Sequence, residues 1–244
     1  STFYAKNAAF DMEKYLSELT LSDYQIDDAT NEDYIRGYNP SGDTLSAALR
    51  EQVESLEGLE GYGYLYSHEA EISLTEQTIA NLQNFYTEEK LKFWGSYDPE
   101  GPLALREAIA QKRAASVVYG VDGIVLDAWC GEEHLLDGSY DAAQFTAGGY
   151  TLAVASAGEE GEKPGTASVG EEVVIEGNAY TVMAVLDNWN PATEGAREET
   201  AVNGTENEFY LNFILPAEVF RENWRENTPR KLFFNVEDAC IESA

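Results

Sequence analysis

Between Tyr62 and Leu74 every second residue, Tyr62, Tyr64, Tyr66, His68, Ala70, Ile72 and Leu74, falls on one side of an extended chain. A period of two over that length has one physical reading, a strand with one face against a core, and a strand needs partners for its backbone groups. The sequence before it supplies one. In "TLSDYQIDDA" the alternation slips a phase between Leu21 and Tyr24, which predicts a bulge or a strand buried on both faces. Between the two, "SGDTLSAALREQVESLEGLEG" puts Leu45, Leu49, Val53 and Leu56 on one helical face, with Asp43 as N-cap and Gly58 followed by Leu59 as the stop. The opening unit therefore reads strand, helix, strand.

Further along, 75–115 carries a helical pattern around Ile79, Leu82, Phe85 and Tyr86 and a second starting at Pro102 with Leu105 and Ile109, separated by "GSYDPEGP". "ASVVYGVDG" returns to strand and stops at Asp122-Gly123. From residue 149 the chain reads as all-β, with Gly177-Asn178 joining two alternating runs as a tight hairpin. Residues 188–207 are polar and irregular and read as a long exposed loop. The end repeats the opening logic in strand "FYLNFILP", helix "AEVFRENWREN" and strand "KLFFNVED". Two such units at the chain ends can pack as one α+β layer, with the β segment between them forming a second lobe.

Charge excludes whole classes of function. The 244 residues carry 45 acids against 15 bases, a formal net charge of -30, which repels phosphate backbones and anionic lipid. Nucleic acid is therefore not a partner. With 43% apolar residues the chain is expected to fold, its acids forming a solvated surface. No stretch approaches the roughly 18 to 20 consecutive apolar residues that cross a bilayer. The chain opens at Ser1 and runs directly into helix-like "FDMEKYLSEL", which predicts a stalk over 1–19 and a piece of a longer protein.

The chemistry-bearing letters concentrate in "LDAWCGEEHLLDG", residues 126–138. Trp129-Cys130-Gly131 opens like a thioredoxin site, but that chemistry needs a second thiol at residue 133, which is Glu. Neighbouring carboxylates oppose a thiolate as well. Ile124, Val125, Ala128, Trp129, Leu135 and Leu136 share a helical face, so the segment reads as a short amphipathic helix closed by Gly138. His134 stands one turn from Cys130, which makes two ligands and not the four that zinc needs, and His68 belongs to a distant strand. Cys130 and Cys240 allow one disulfide or two free thiols.

Other apparent sites dissolve similarly. "DDATNED" at 27–33 lacks the spacing of a calcium loop and reads as a solvated turn, and no phosphate-binding or dinucleotide fingerprint is present. Among 45 acids some glycosidase-like pair is always arguable, so that signal decides nothing. Asn203-Gly204-Thr205 fits a glycosylation sequon, a short pattern that recurs by chance. No catalytic, cofactor or metal residues are assigned.

Five segments together resemble a family: "FDMEKYLSELTLSDYQIDDAT", "SVVYGVDG", "LLDGSYDAAQFTAGGYTLAVAS", "SVGEEVVIEGNAYTVMAVL" and "EFYLNFILPAEVF". They look like the extracytoplasmic domain of MacB/FtsX-like ABC transporter permeases of Gram-positive type. The resemblance implies a Porter-like α+β lobe from 20–121 and 206–244, with a helical insertion at 75–115, and an inserted, mainly-β Sabre-like lobe over 122–205. It also implies a location on the outer side of the cell membrane. The implied partners are a cytoplasmic ATPase subunit and a second permease copy, reached through membrane helices, and a peptide, lipid or glycan substrate or an accessory protein. The implied work is mechanical and non-catalytic. A secreted or sensory module that binds peptide or glycan is the alternative, and what lies beyond both ends of the chain separates the two. Trp189 in the long loop, and Phe93 and Trp94 in the helical insertion, are the expected partner contacts, because exposed aromatics anchor partners. Burial of these tryptophans in the core is the competing expectation.

Overall fold

The computed structural model describes residues 25–27, 35–38, 47–156, 158–189, 209–225, 229 and 231–236. The expected stalk over 1–19, the acidic turn (apart from Asp27), Asp43, the sequon, Cys240 and nearly all of the 188–207 loop lie outside them. The long alternating segment is strand β3, Leu59–Ser73, and β4, Arg113–Val121, runs antiparallel beside it from Leu65↔Val121 to Ser73↔Arg113. Two short strands, β1 (Gln25–Asp27) and β2 (Ile35–Tyr38), form a hairpin that joins the sheet through the last strand, β10 (Lys231–Val236). On the other side of β4 comes β9 (Tyr210–Pro216), parallel to it, then β6 (Tyr150–Val154), β8 (Asn178–Leu186) and β5 (Leu135–Gly138). The full order is β1-β2-β10-β3-β4-β9-β6-β8-β5, with β7 (Glu172–Ile175) pairing β3 and β8 off that path. The class is α+β on a mixed sheet. Strands of the outer segments fill the first six places and strands of 122–205 the last three, and the two groups meet edge to edge where β9 pairs β6.

Two apolar clusters follow the two faces of this sheet, and each draws on both groups of strands. Tyr64, Ile72, Val118, Phe213, Val182 and Leu232 belong to the first face. Leu65, Val117, Tyr119, Ile214, Leu152 and Phe233 belong to the second. Neighbouring residues of one strand thus enter opposite cores, as the pleat requires. Between β6 and β8 the register steps from Thr151↔Val182 to Leu152↔Ala184, leaving Met183 as a bulged extra residue, so Met183 and Ala184 both reach the second core.

Helices α1 (Ala47–Glu54), α2 (Glu76–Phe85), α4 (Glu100–Gln111) and α7 (Ala217–Asn223) send Val53, Leu82, Leu105 and Phe220 into the first core. Between α2 and α4 lies a helix that the pattern did not separate, α3 (Glu88–Tyr97), which runs through the Gly-Ser-Tyr letters read as a break. Thr87 starts it, its side chain accepting from Lys90 N, and Glu88 and Glu89 suit the positive end of the helix dipole. No residue of α3 is fully buried, which explains why its apolar period is faint. Helices α5 (Gly123–Trp129) and α6 (Ala142–Thr146) cover the second face with Val125, Trp129 and Phe145.

Two local expectations are corrected, and a third, the strand stop at Asp122-Gly123, holds. The 126–138 segment is not one helix: α5 ends at Trp129, a 3₁₀ turn spans Glu132–His134, and Leu135 and Leu136 belong to β5. Pairing with β8, far away in sequence, overrides the local helical period. The hairpin turn sits one residue earlier than read, on Glu176 (φ 47) and Gly177 (φ 87), with Ile175 opposite Asn178. Two left-handed residues match the strand twist, and Asn178 is released into β8. Asp122-Gly123 is a strand-to-helix corner. There Gly123 takes φ 55 and passes so close that an added Cβ would lie 1.9 Å from Tyr62 O.

At that corner the Asp122 carboxylate accepts from Tyr64 N at 2.7 Å. Burial pushes its pKa up, while the Tyr64 hydrogen bond and the arginines Arg50 and Arg221 pull it back. The folded protein therefore holds this proton more tightly than the unfolded chain. The resulting stability is fully present below the unfolded value of 3.8 and is lost as pH rises through the folded value. Asp122→Asn keeps an acceptor for Tyr64 N and removes the titration. Compared by urea unfolding, the variant gains stability relative to the parent as pH rises from 3.8 toward neutrality.

A buried polar network fastens α2 to the strand β7 region. Asn81 Nδ2 donates to Thr166 O and to Ser168 Oγ, both at 2.8 Å, and Asn81 Oδ1 accepts from Gln77 at 3.0 Å. Glu171 accepts from Thr75, from Thr78 Oγ1 at 2.9 Å and from Ser168 N at 2.8 Å. Removing one member leaves buried groups without partners, which costs about 1–3 kcal/mol. Asn81→Ala should lower the unfolding free energy by about that amount in denaturant titration, with the helical content of the native state unchanged.

Candidate functional site

The cysteine segment is closed to chemistry by its surroundings. Cys130 is a free thiol at the end of α5, 7% exposed, and belongs to the second core with Trp129 and Phe145. Burial pushes it up to about 12 and Asp127 adds to the rise, while the neighbouring Tyr140 opposes it. A shift of this size leaves roughly a thousandfold less thiolate than an exposed cysteine has at neutral pH. In a Cys240→Ser background, Cys130 should ignore Ellman's reagent at pH 8 and react at once when denaturant is added; rapid labelling of the native protein would contradict this environment.

Both histidines are packed against a tryptophan and face an acid. The His134 ring lies 4.4 Å from that of Trp189, 11° from parallel, and its Nδ1 is 3.2 Å from Asp187. His68 stacks on Trp224 at 4.5 Å, with Nε2 3.4 Å from Glu176. These are interlocking contacts between elements distant in sequence. Among the described residues no three His, Cys, Asp or Glu side chains converge as a metal site.

A groove of about 750 Å³ opens where the end of α2, helix α3, Ser156 and the 158–162 loop meet. Tyr86, Phe93, Trp94 and Tyr97 supply its rings, and Lys90, Glu89, Glu159 and Glu162 its charges. Phe93 and Tyr97, four residues apart on α3, stand side by side at 5.7 Å and are 71% and 69% exposed. Trp94 is turned inward, its Nε1 donating to Asp98 at 3.0 Å and its ring 5.6 Å from that of Tyr86. Burial raises the Tyr86 phenol, and Tyr97 adds to it. Lys90 Nζ sits 3.8 Å over the Phe85 ring and 2.5 Å from Glu162, whose carboxyl is held low by Lys90 and by the N–H of Glu159.

The fold is similar to two solved structures. One is the extracellular domain of the noncanonic ABC-type transporter YknZ from Gram-positive bacteria, at 10% identity and TM-score 0.44, covering 84% of this chain and 79% of that one. The other is the periplasmic region of MacB from Actinobacillus actinomycetemcomitans, at 8% identity and TM-score 0.39, covering 77% of this chain and 63% of that one. No protein-family model and no curated protein matches the chain. No helix among the described residues is long and apolar enough to cross a membrane.

The residues expected to contact a partner do not form one surface. Trp94 packs on the first core and Trp189 on the second, so they lie on opposite faces of the sheet. Trp189 is half-buried against His134. Phe93 and Trp94 share the groove, with Phe93 outward and Trp94 inward. Sequence reasoning missed Tyr86, Tyr97 and Lys90 as groove residues. The i, i+4 spacing of Phe93 and Tyr97 was a usable signal, whereas Glu159 and Glu162 arrive from a loop about 65 residues away that no local pattern connects.

Proposed function

We propose that the chain is the extracytoplasmic domain of an ABC transporter permease of the MacB/FtsX-like kind, passing motion between membrane helices and a bound substrate or accessory protein and catalysing no reaction. The observation that carries this reading is spatial. Four of the five segments that resemble the family are spread over residues 116–220 and hold six strands of one sheet: β4, β9, β6, β8 and β5 stand side by side, and β7 pairs β3 and β8 off that path. That shared sheet supports reading the segments as parts of one domain.

In this reading the outer segments, 20–121 and 206–244, are the Porter-like lobe, and 122–205 is the Sabre-like lobe. The seam runs along β9/β6, and the Asn81 and Glu171 network crosses it beside β3/β7, so displacement of one lobe is carried to the other. The cytoplasmic ATPase and a second permease copy are the partners through the membrane part. Phe93 and the groove around it are the contact surface of the helical insertion, and Trp189 serves the opposite face as a packing residue against His134.

The test uses the full-length parent protein in intact cells, with Cys240→Ser and a reporter cysteine at the exposed position Ser96 on α3. A membrane-impermeant maleimide should label Ser96→Cys in intact cells, in the membrane fraction, and the protein should co-purify with an ATPase subunit. Labelling only after lysis sinks the extracytoplasmic placement. A labelled protein found free in the medium leaves a secreted binding module instead.

A further inference from the structure

We infer that the groove between α3 and the 158–162 loop binds a basic peptide segment, an apolar side chain seating against Phe93 and Tyr97 while Lys or Arg groups meet Glu89 and Glu159. The inference rests on the reading of this groove as a contact surface of the domain and names what fits it.

Phe93 and Tyr97 are the two most exposed large apolar side chains among the described residues, and they touch each other at 5.7 Å. Their exposure is therefore one continuous patch beside a groove and not scattered surface noise. Charge selects the occupant. Glu89 and Glu159 are exposed acids on the groove wall, and Lys90, the cation of the lining, is already engaged by Glu162 at 2.5 Å. With a net charge of -30 on the chain, a second copy, an anionic lipid surface or an acidic peptide would be repelled on approach, whereas a basic segment is steered in. The groove also displays the mode of binding on its own residue. The Lys90 ammonium lies 3.8 Å over the Phe85 ring with a carboxylate at its other side, which is how an incoming ammonium or guanidinium would be held between the aromatic rings and Glu89 or Glu159.

The experiment titrates the 244-residue chain with matched synthetic peptides that share aromatic and aliphatic residues and differ only in carrying Lys, Glu or Ser at the remaining positions. Binding is followed by NMR shifts and by calorimetry. The Lys peptide is expected to bind at least about tenfold more tightly than the Ser peptide and to weaken as salt is raised, with the Glu peptide unbound. Phe93→Ser with Tyr97→Ser should cost about tenfold or more in Kd at an unchanged melting temperature, because both rings are exposed. Glu89→Gln with Glu159→Gln should lower the preference for Lys over Ser by roughly two- to fivefold. Equal binding of the three peptides, binding that survives the ring substitutions, or binding of a neutral oligosaccharide or a zwitterionic vesicle in place of the Lys peptide overturns the inference. Surface labelling of intact cells reads the extracytoplasmic placement independently, so the two readings fail separately.

Discussion

The parallel pairing of β4 with β9 is the joint on which the molecule depends. It brings Ala115–Val121 beside Tyr210–Pro216, with β1, β2, β10 and β3 of the outer segments on one side and β6, β8 and β5 beyond β9 on the other, while β7 reaches across to β3. Both strands are buried on both faces: Val117 and Ile214 look into one core, Val118 and Phe213 into the other. A strand with water on neither side must be apolar nearly throughout, and "SVVYGV" and "LNFILP" are. Cross-strand hydrogen bonds made there are shielded from water, and the flanking helices have a flat apolar surface on each side to cover.

Much of this was readable. The alternation in β3, the hairpin after Ile175 to within one residue and the strand-helix-strand close rest on local rules, whereas the helix expected to stop at Gly58 ends at Glu54 and β3 also buries Leu65 on its other face. The failures have physical causes. Helix α3 hides because it is only half-buried: Leu91 and Trp94 pack against the first core while Phe93 and Tyr97 face solvent, although Thr87 with Glu88 and Glu89 marked its start. Residues 130–138 hide because β5 exists only as a partner to β8.

The groove divides in the same way. Its rings come from one stretch, 86–97, and helical spacing could have assembled them, while its carboxylates are split between that stretch and a loop far along the chain. Cys130, by contrast, attracted chemical readings from its letters alone. Placed in three dimensions it is a small core residue at a helix end, held neutral by lack of solvent.

The position of β10 has a consequence for how the chain is made. Among the described residues, strands β1 and β2 touch the rest of the sheet only through β10, which is made after the other described strands. The central strands can therefore close around their cores while this earlier-made hairpin still waits outside. The hairpin precedes the strand it docks on, so until synthesis passes Val236 the edge of β3 that β10 will cover stays open, a template for mispairing that the pairing of β10 removes.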